Sequence, residues 1–397
     1  MIDIDRCRAE TPGVANVLHF NNAGAGLMPA PVLQSVKDHL DLEAAIGGYE
    51  AADRARSSIT RTYGAIARYL NCDAGDVAVM ENATVAWNQA FLAVADRMKP
   101  GDRILTAEAE YASNYLTYLK VAAQKGVSVE VVPSDTDGVL DVSALARMLD
   151  SGGVALVAVT HVPTNGGLVN PAAEIGKLTR AAGVPYLLDA CQSAGQRVLD
   201  VQQIGCDFLT ATGRKYLRGP RGTGFLYARP ETVARFEPPV IDLHSATWTG
   251  RESLEWQSGA RRFENWEFNE AGRIGLGVAV DYMLDVGIAE IEARVTGLAE
   301  QLRSRLADIA GVRVLDLGRE RCGITTFTVH GLEPLAVKQA LATRQMNVTT
   351  STPNSTRIDM ERRQISGLVR ASVHYYNTEV EIDRFVEAVA EEAGRQQ

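Results

Sequence analysis

Residues 154–189, VALVAVTHVPTNGGLVNPAAEIGKLTRAAGVPYLLD, decide the fold. Two short runs rich in Val and Leu, Val154–His161 and Tyr186–Asp189, flank a helical pattern from Pro171 to Ala182. The runs are apolar at consecutive positions, the pattern of strands covered on both faces. Strand, helix and strand in that order read as a βαβ unit. The same grammar extends outward. Val77–Met80, Arg103–Thr106, Val127–Pro133, Phe208–Thr210 and Gly224–Tyr227 are further short apolar runs bounded by Gly, Asp or Pro. Helical patterns at Ala86–Arg97, Asn114–Gln124 and Val142–Met148 lie between several of them. The expectation is an α/β protein built on a large, mostly parallel, seven-stranded sheet.

Beyond this the texture changes. Pro238–Glu270 is rich in Trp, Ser, Gly and Arg with weak periodicity, which suggests a long functional loop or interface segment. A long helical stretch is expected from Asn269 to Leu306. Strand patterns follow near Val312–Leu315, Ile324–Val329 and Val369–Val373, separated by helical patterns at Pro334–Thr343 and Glu379–Glu392. The chain therefore divides into an N-terminal arm (1–19), a large α/β domain (20–270) and a small C-terminal α+β domain (271–397).

Composition narrows the function. The 397 residues are 46% hydrophobic and 22% charged, ordinary for a globular protein. Forty basic residues against 49 acidic ones give a net charge of −9, without a long Lys/Arg run, which argues against nucleic acid as the main partner. No apolar stretch approaches the length of a membrane span, and Met1–Glu10 lacks the apolar run of a signal peptide, so a cytoplasmic protein is expected. The five cysteines, Cys7, Cys72, Cys191, Cys206 and Cys322, are odd in number and widely spaced, and no CxxC occurs. Neither a disulfide framework nor a metal site is indicated.

The residues that can carry chemistry stand at strand ends. Asp189 closes the run Val184–Asp189, and in open α/β sheets ligands bind beyond the carboxyl ends of strands. Gln192 follows three residues on. Lys215 follows the strand Phe208–Thr210 and precedes a Gly-rich turn, with Thr212, Gly213 and Arg214 beside it. A desolvated lysine can form a Schiff base. Paired with an acid that holds a pyridinium nitrogen protonated, it supplies the protein's side of pyridoxal phosphate chemistry. Glu81-Asn82-Ala83-Thr84 follows a strand and opens a helix, a place where backbone N–H groups bind a phosphate. A nicotinamide dinucleotide site is disfavoured, because no GxGxxG joins a strand to a helix.

In this order, these positions resemble the class V aminotransferase family of fold-type-I pyridoxal phosphate enzymes. The family includes cysteine desulfurases, isopenicillin N epimerase-like proteins and ergothioneine-type C–S lyases. The resemblance covers most of the chain. It implies a substrate-loop role for Asn22 in Asn21-Asn22-Ala23-Gly24, and phosphate contacts from Asn82, Ala83 and Thr84. It implies a ring-stacking role for Tyr111, where desulfurases have His, and a cofactor contact from Thr164. Asp189 and Gln192 correspond to the pair that holds the ring nitrogen and the ring hydroxyl oxygen. Lys215 corresponds to the Schiff-base lysine, with Thr212 and Arg214 as cofactor contacts; Arg214 stands where desulfurases carry His. Arg370 corresponds to the residue that binds the substrate α-carboxylate. Family members are usually homodimers with shared active sites, and the segment containing Asn265 and Trp266 is implied to reach the partner's phosphate. Desulfurases have Gly-Thr there.

The reaction is narrowed by what is missing. Desulfurases use a mobile cysteine ahead of the C-terminal Arg, whereas Asn347–Thr356 contains none and the nearest, Cys322, precedes a strand. The Ile46–Glu50 patch and the Gly213–Gly222 motif look more like the C–S lyase and epimerase-like branch. The best reading is a C–S β-elimination lyase acting on an amino-acid or S-conjugate substrate. A class V aminotransferase or an epimerase is the alternative, and a cysteine desulfurase or a non-catalytic homologue ranks behind both.

Overall fold

The computed structural model describes residues 2–395. Seven strands form the central sheet: β1 (Val77–Met80), β2 (Arg103–Ala107), β3 (Ser128–Val132), β4 (Val154–Thr160), β5 (Tyr186–Asp189), β6 (Phe208–Thr212) and β7 (Gly224–Ala228). Their order is β1-β7-β6-β5-β4-β2-β3. Only β7 runs against the others; the remaining pairings are parallel. The expected mostly parallel sheet is present, with β4 beside β5 as residues 154–189 required.

Each strand feeds two cores. Val77, Leu105, Val157, Val159, Leu188 and Leu209 point into one apolar cluster. Their neighbours Ala78, Ile104, Leu156, Ala158, Leu187 and Phe208 point into the other. Successive strand residues face opposite sides, so a strand covered on both faces must be apolar throughout. That is why these runs do not alternate.

Local chemistry fixes the helix that follows β1. Asn82 is its N-cap, with extended backbone and an Oδ1 that accepts from Val85 N at 3.0 Å. The turn is pressed against β7 at Gly224, where an added Cβ would stand 2.7 Å from the Ala211 carbonyl oxygen and 2.9 Å from the Asn82 carbonyl carbon. Only a residue without a side chain permits that approach.

The C-terminal part holds a four-stranded antiparallel sheet. Its order is Val312–Val314, Ile324–Val329, Leu368–Ser372, Thr349–Ser351. Thr349–Ser351 is a strand that the polar segment Asn347–Thr356 did not suggest. Residues 18–21 are tied to this part: Leu18–His19 pair in parallel with Met346–Asn347, and Asn21 bridges to Ser372.

Two expectations change. The helical stretch Asn269–Leu306 is two helices, Glu270–Val286 and Ile288–Ala307, divided at Gly287 with φ +96°. A left-handed residue cannot continue an α-helix, and glycine adopts that conformation at little cost. The segment 238–270 is not loop throughout. It carries an antiparallel hairpin, Ala246–Gly250 with Ser253–Trp256, whose exposed faces leave no apolar period to read. No described helix is long and apolar enough to cross a membrane.

Candidate active site

The carboxyl ends of five strands converge on one cavity of about 490 Å³. Asn82, Ala83 and Thr84 line it after β1, and Tyr111 after β2. Thr160 and Thr164 come from the end of β4, and Asp189, Cys191 and Gln192 from the end of β5. Thr212, Arg214 and Lys215 come from β6 and its following turn. Ten of the fourteen residues singled out in the sequence thus share one chamber.

Three-dimensional placement gives each polar group a task. Burial pushes the Lys215 amine below its ordinary value; Cys191 and Asp189 oppose that, while Arg214 and Arg370 add to it. The amine therefore loses its proton more readily than a free lysine, so more of it is present in the unprotonated form that acts as nucleophile and base. Asp189 Oδ1 accepts from Cys191 N at 2.8 Å, and Oδ2 accepts from Asn114 Nδ2 at 3.0 Å. Gln192 Nε2 donates to the Ala23 carbonyl at 3.1 Å and to Thr164 Oγ1 at 3.3 Å, while its Oε1 is buried without a donor. Arg214 Nη1 donates to the Gly24 carbonyl.

Asn22 and Arg370 are buried and are not among the residues that line the cavity. Arg370 Nη1 donates to Thr164 O at 2.9 Å and Thr164 Oγ1 at 2.6 Å, and its Nε has no partner. Burial, with the charge of Arg214 adding to it, lowers the Arg370 guanidinium to about 10. Asn22 Nδ2 donates to Ser372 O at 2.8 Å, and its Oδ1 accepts from Tyr376 OH. Asn265 and Trp266 do not line the cavity within one chain. Asn265 Nδ2 donates to Glu81 Oε1 at 3.0 Å, and Trp266 is 57% exposed.

The sequence reading passed over Glu110, Asn114 and Cys191. Glu110 and Asn114 flank Tyr111, one on the connection before the helix Ala112–Lys125 and the other in its first turn. Glu110 bonds to its near neighbours Thr106, Tyr111 and Asn114, but its contact with Thr160 and that of Asn114 with Asp189 cross to other strands and leave no local signal.

The aminotransferase class-V family profile matches residues 18–385. The chain belongs to that family. It is 29% identical over 393 residues to a probable cysteine desulfurase of Methanothermobacter thermautotrophicus, covering 98% of this chain and 97% of that one. The apo structure of a cysteine desulfurase from Thermococcus onnurineus superposes with a TM-score of 0.91 at 27% identity, over 99% of this chain and 98% of that one. The cystine C–S lyase C-DES, in complex with its product cysteine persulfide, gives 0.85 at 25% identity, over 96% and 99%. The expected fold, the enzyme reading and the pyridoxal phosphate of class V are borne out with the family.

The residues present fit that cofactor. The cavity offers a buried amine at Lys215, a carboxylate at Asp189 and an acceptor at Gln192 Oε1 that lacks a donor. The helix Ala83–Asp96 begins at its edge, and the first N–H groups of a helix have no carbonyl partners of their own.

Proposed function

We propose that this class V enzyme is a C–S lyase that cleaves the Cβ–S bond of a cysteine-type amino acid or S-conjugate. Lys215 would hold the cofactor, with Asp189 and Gln192 on its ring, Tyr111 on its face and residues 82–84 at its phosphate. Bound there, pyridoxal phosphate makes the substrate's Cα–H bond acidic by accepting the electron pair. Lys215, buried and depressed in basicity, takes the Cα proton and can return it to the departing sulfur. Arg370 offers its unpartnered Nε to the substrate carboxylate.

The observation that carries this reading is the absence of a thiol where a desulfurase needs one. Segment 347–356 runs beside the cavity: Ser355 O accepts from Ala112 N at 3.0 Å, and Thr356 Oγ1 accepts from Asn165 at 2.9 Å. It contains no cysteine. Cys191 does line the cavity, but burial and the charge of Asp189 push its thiol well above the ordinary value, the wrong direction for a nucleophile. Cys322 is buried away from the cavity, with its thiol raised to about 11. Elimination needs no protein nucleophile. Substrate and water give pyruvate, ammonia and the free thiol or persulfide.

The relatives named as desulfurases define the competing outcome, and the product assay separates the two. Cysteine, cystine and S-alkyl cysteines should yield pyruvate and ammonia in equal amounts. Alanine as the main carbon product would mark a desulfurase, and amino transfer to a keto acid would mark a transaminase. Arg370→Ala should raise KM by about tenfold to a hundredfold, the worth of a charge-assisted hydrogen bond, while cofactor affinity changes little. Unchanged KM would remove Arg370 from the substrate site.

A further inference from the structure

Glu110 lies on the connection between β2 and the helix Ala112–Lys125, and its side chain is 3% exposed. Oε1 accepts from Tyr111 N at 2.7 Å, from Asn114 Nδ2 at 3.0 Å and from Thr160 Oγ1. Oε2 accepts from Thr106 Oγ1 at 2.9 Å and lies 3.5 Å from Tyr118 OH. None of these partners is a cation. A carboxylate is rarely buried this way without a purpose beyond packing, because its desolvation is costly even when every lone pair is met.

The geometry shows where that carboxylate acts. The Asn114 amide nitrogen carries two hydrogens and directs one to Glu110 Oε1 and the other to Asp189 Oδ2, each at 3.0 Å. A flipped amide would set its oxygen against both carboxylates. Glu110 also grips the backbone N–H of Tyr111. Through one amide and one peptide group it touches the supports of Asp189 and Tyr111, two of the residues assigned to the cofactor ring.

We propose that Glu110 is a positioning residue for the cofactor. It orients the Asn114 amide onto Asp189 and anchors the Tyr111 main chain, so that the ring meets a carboxylate and an aromatic face already in place. This rests on the assignment of Asp189 and Tyr111 to the ring. Preorganisation of this kind acts on affinity as well as rate.

The test is titration of the apoproteins with pyridoxal 5′-phosphate, followed by the visible absorbance of the bound cofactor, with apoprotein melting as the check on folding. Glu110→Gln keeps an oxygen for Tyr111 N and Asn114, and Thr106 and Tyr118 hydroxyls can rotate to accept. Its dissociation constant should stay within about threefold of wild type. Glu110→Asp keeps the charge but withdraws it by one methylene, and Asn114→Ala cuts the link to Asp189. Each should weaken binding by about tenfold or more. The two together should be no weaker than the worse single variant, because they break one chain of contacts. Wild-type affinity in Glu110→Asp, weak binding in Glu110→Gln, or multiplied losses in the double variant would each overturn the proposal. Should Glu110→Asp not fold, the contrast between Glu110→Gln and Asn114→Ala decides in the same way. A wild-type chain that takes up no cofactor would overturn the underlying assignment instead, and is recognised before any variant is measured.

Discussion

Lys215→Ala should lower turnover by at least about a thousandfold and abolish the visible absorbance of the cofactor-loaded protein. The size follows from losing two contributions at once. A positioned acid–base group accounts for roughly 10²–10⁴ in rate, and the covalent hold on the cofactor is lost with the same amine. The loss should not come from unfolding. The chain around Lys215 is held independently: Gly26 N donates to Arg214 O at 2.9 Å, Arg218 N donates to Lys215 O at 3.0 Å, and His374 Nε2 bonds Tyr216 O at 2.9 Å. Removing the buried amine also removes a group whose charge burial disfavours. The apoprotein should therefore melt at or slightly above the wild-type temperature. A variant that keeps more than about a tenth of wild-type turnover would take Lys215 out of the chemistry.

Asp189→Asn should cost about a hundredfold to a thousandfold in kcat, the range seen when a preorganised electrostatic partner is removed. The substitution is nearly isosteric. Its remaining oxygen can still accept from Cys191 N, now at 2.8 Å from Oδ1. What disappears is the negative charge and one acceptor: the new amide would present hydrogens to Asn114 Nδ2, itself a donor to both Asp189 and Glu110. A ring nitrogen without an anionic partner holds its proton less well, so the electron pair released at Cα has a poorer sink. The check is kcat on whichever substrate gives pyruvate, alongside the cofactor's spectrum. A rate within tenfold of wild type would remove Asp189 from the ring.

The two residues behind these expectations were legible because they obey a local rule. Asp189 closes a short strand and Lys215 follows another by three residues, so the strand end can be read to within a residue or two, and the crevice of an α/β sheet lies beyond such ends. Asn82 was legible for a similar reason, since a capping side chain acts within three residues of itself. Arg370 and Asn22 were different. Their assignment came from resemblance to a family, and no pattern within either segment predicts that Asn22 bonds to Ser372, 350 residues away. The hairpin at 246–256 escaped because both its faces are largely exposed and so impose no period. The break at Gly287 interrupts a stretch whose helical pattern runs on both sides of it.

Glu110 marks the boundary most clearly. In sequence it is an acid ahead of a helix, a position that the helix dipole alone would explain. In the fold it is buried, takes hydrogens from Thr106, Tyr111, Asn114 and Thr160, and shares Asn114 with Asp189. The sequence by itself determined the seven strands, their covering on both faces and the strand ends that carry Asp189 and Lys215, because hydrophobic period and capping act over a few residues. Tertiary structure alone decided which strand ends stand side by side, and so which carboxylate shares an amide with which, because strand order brings together groups separated by tens to hundreds of residues.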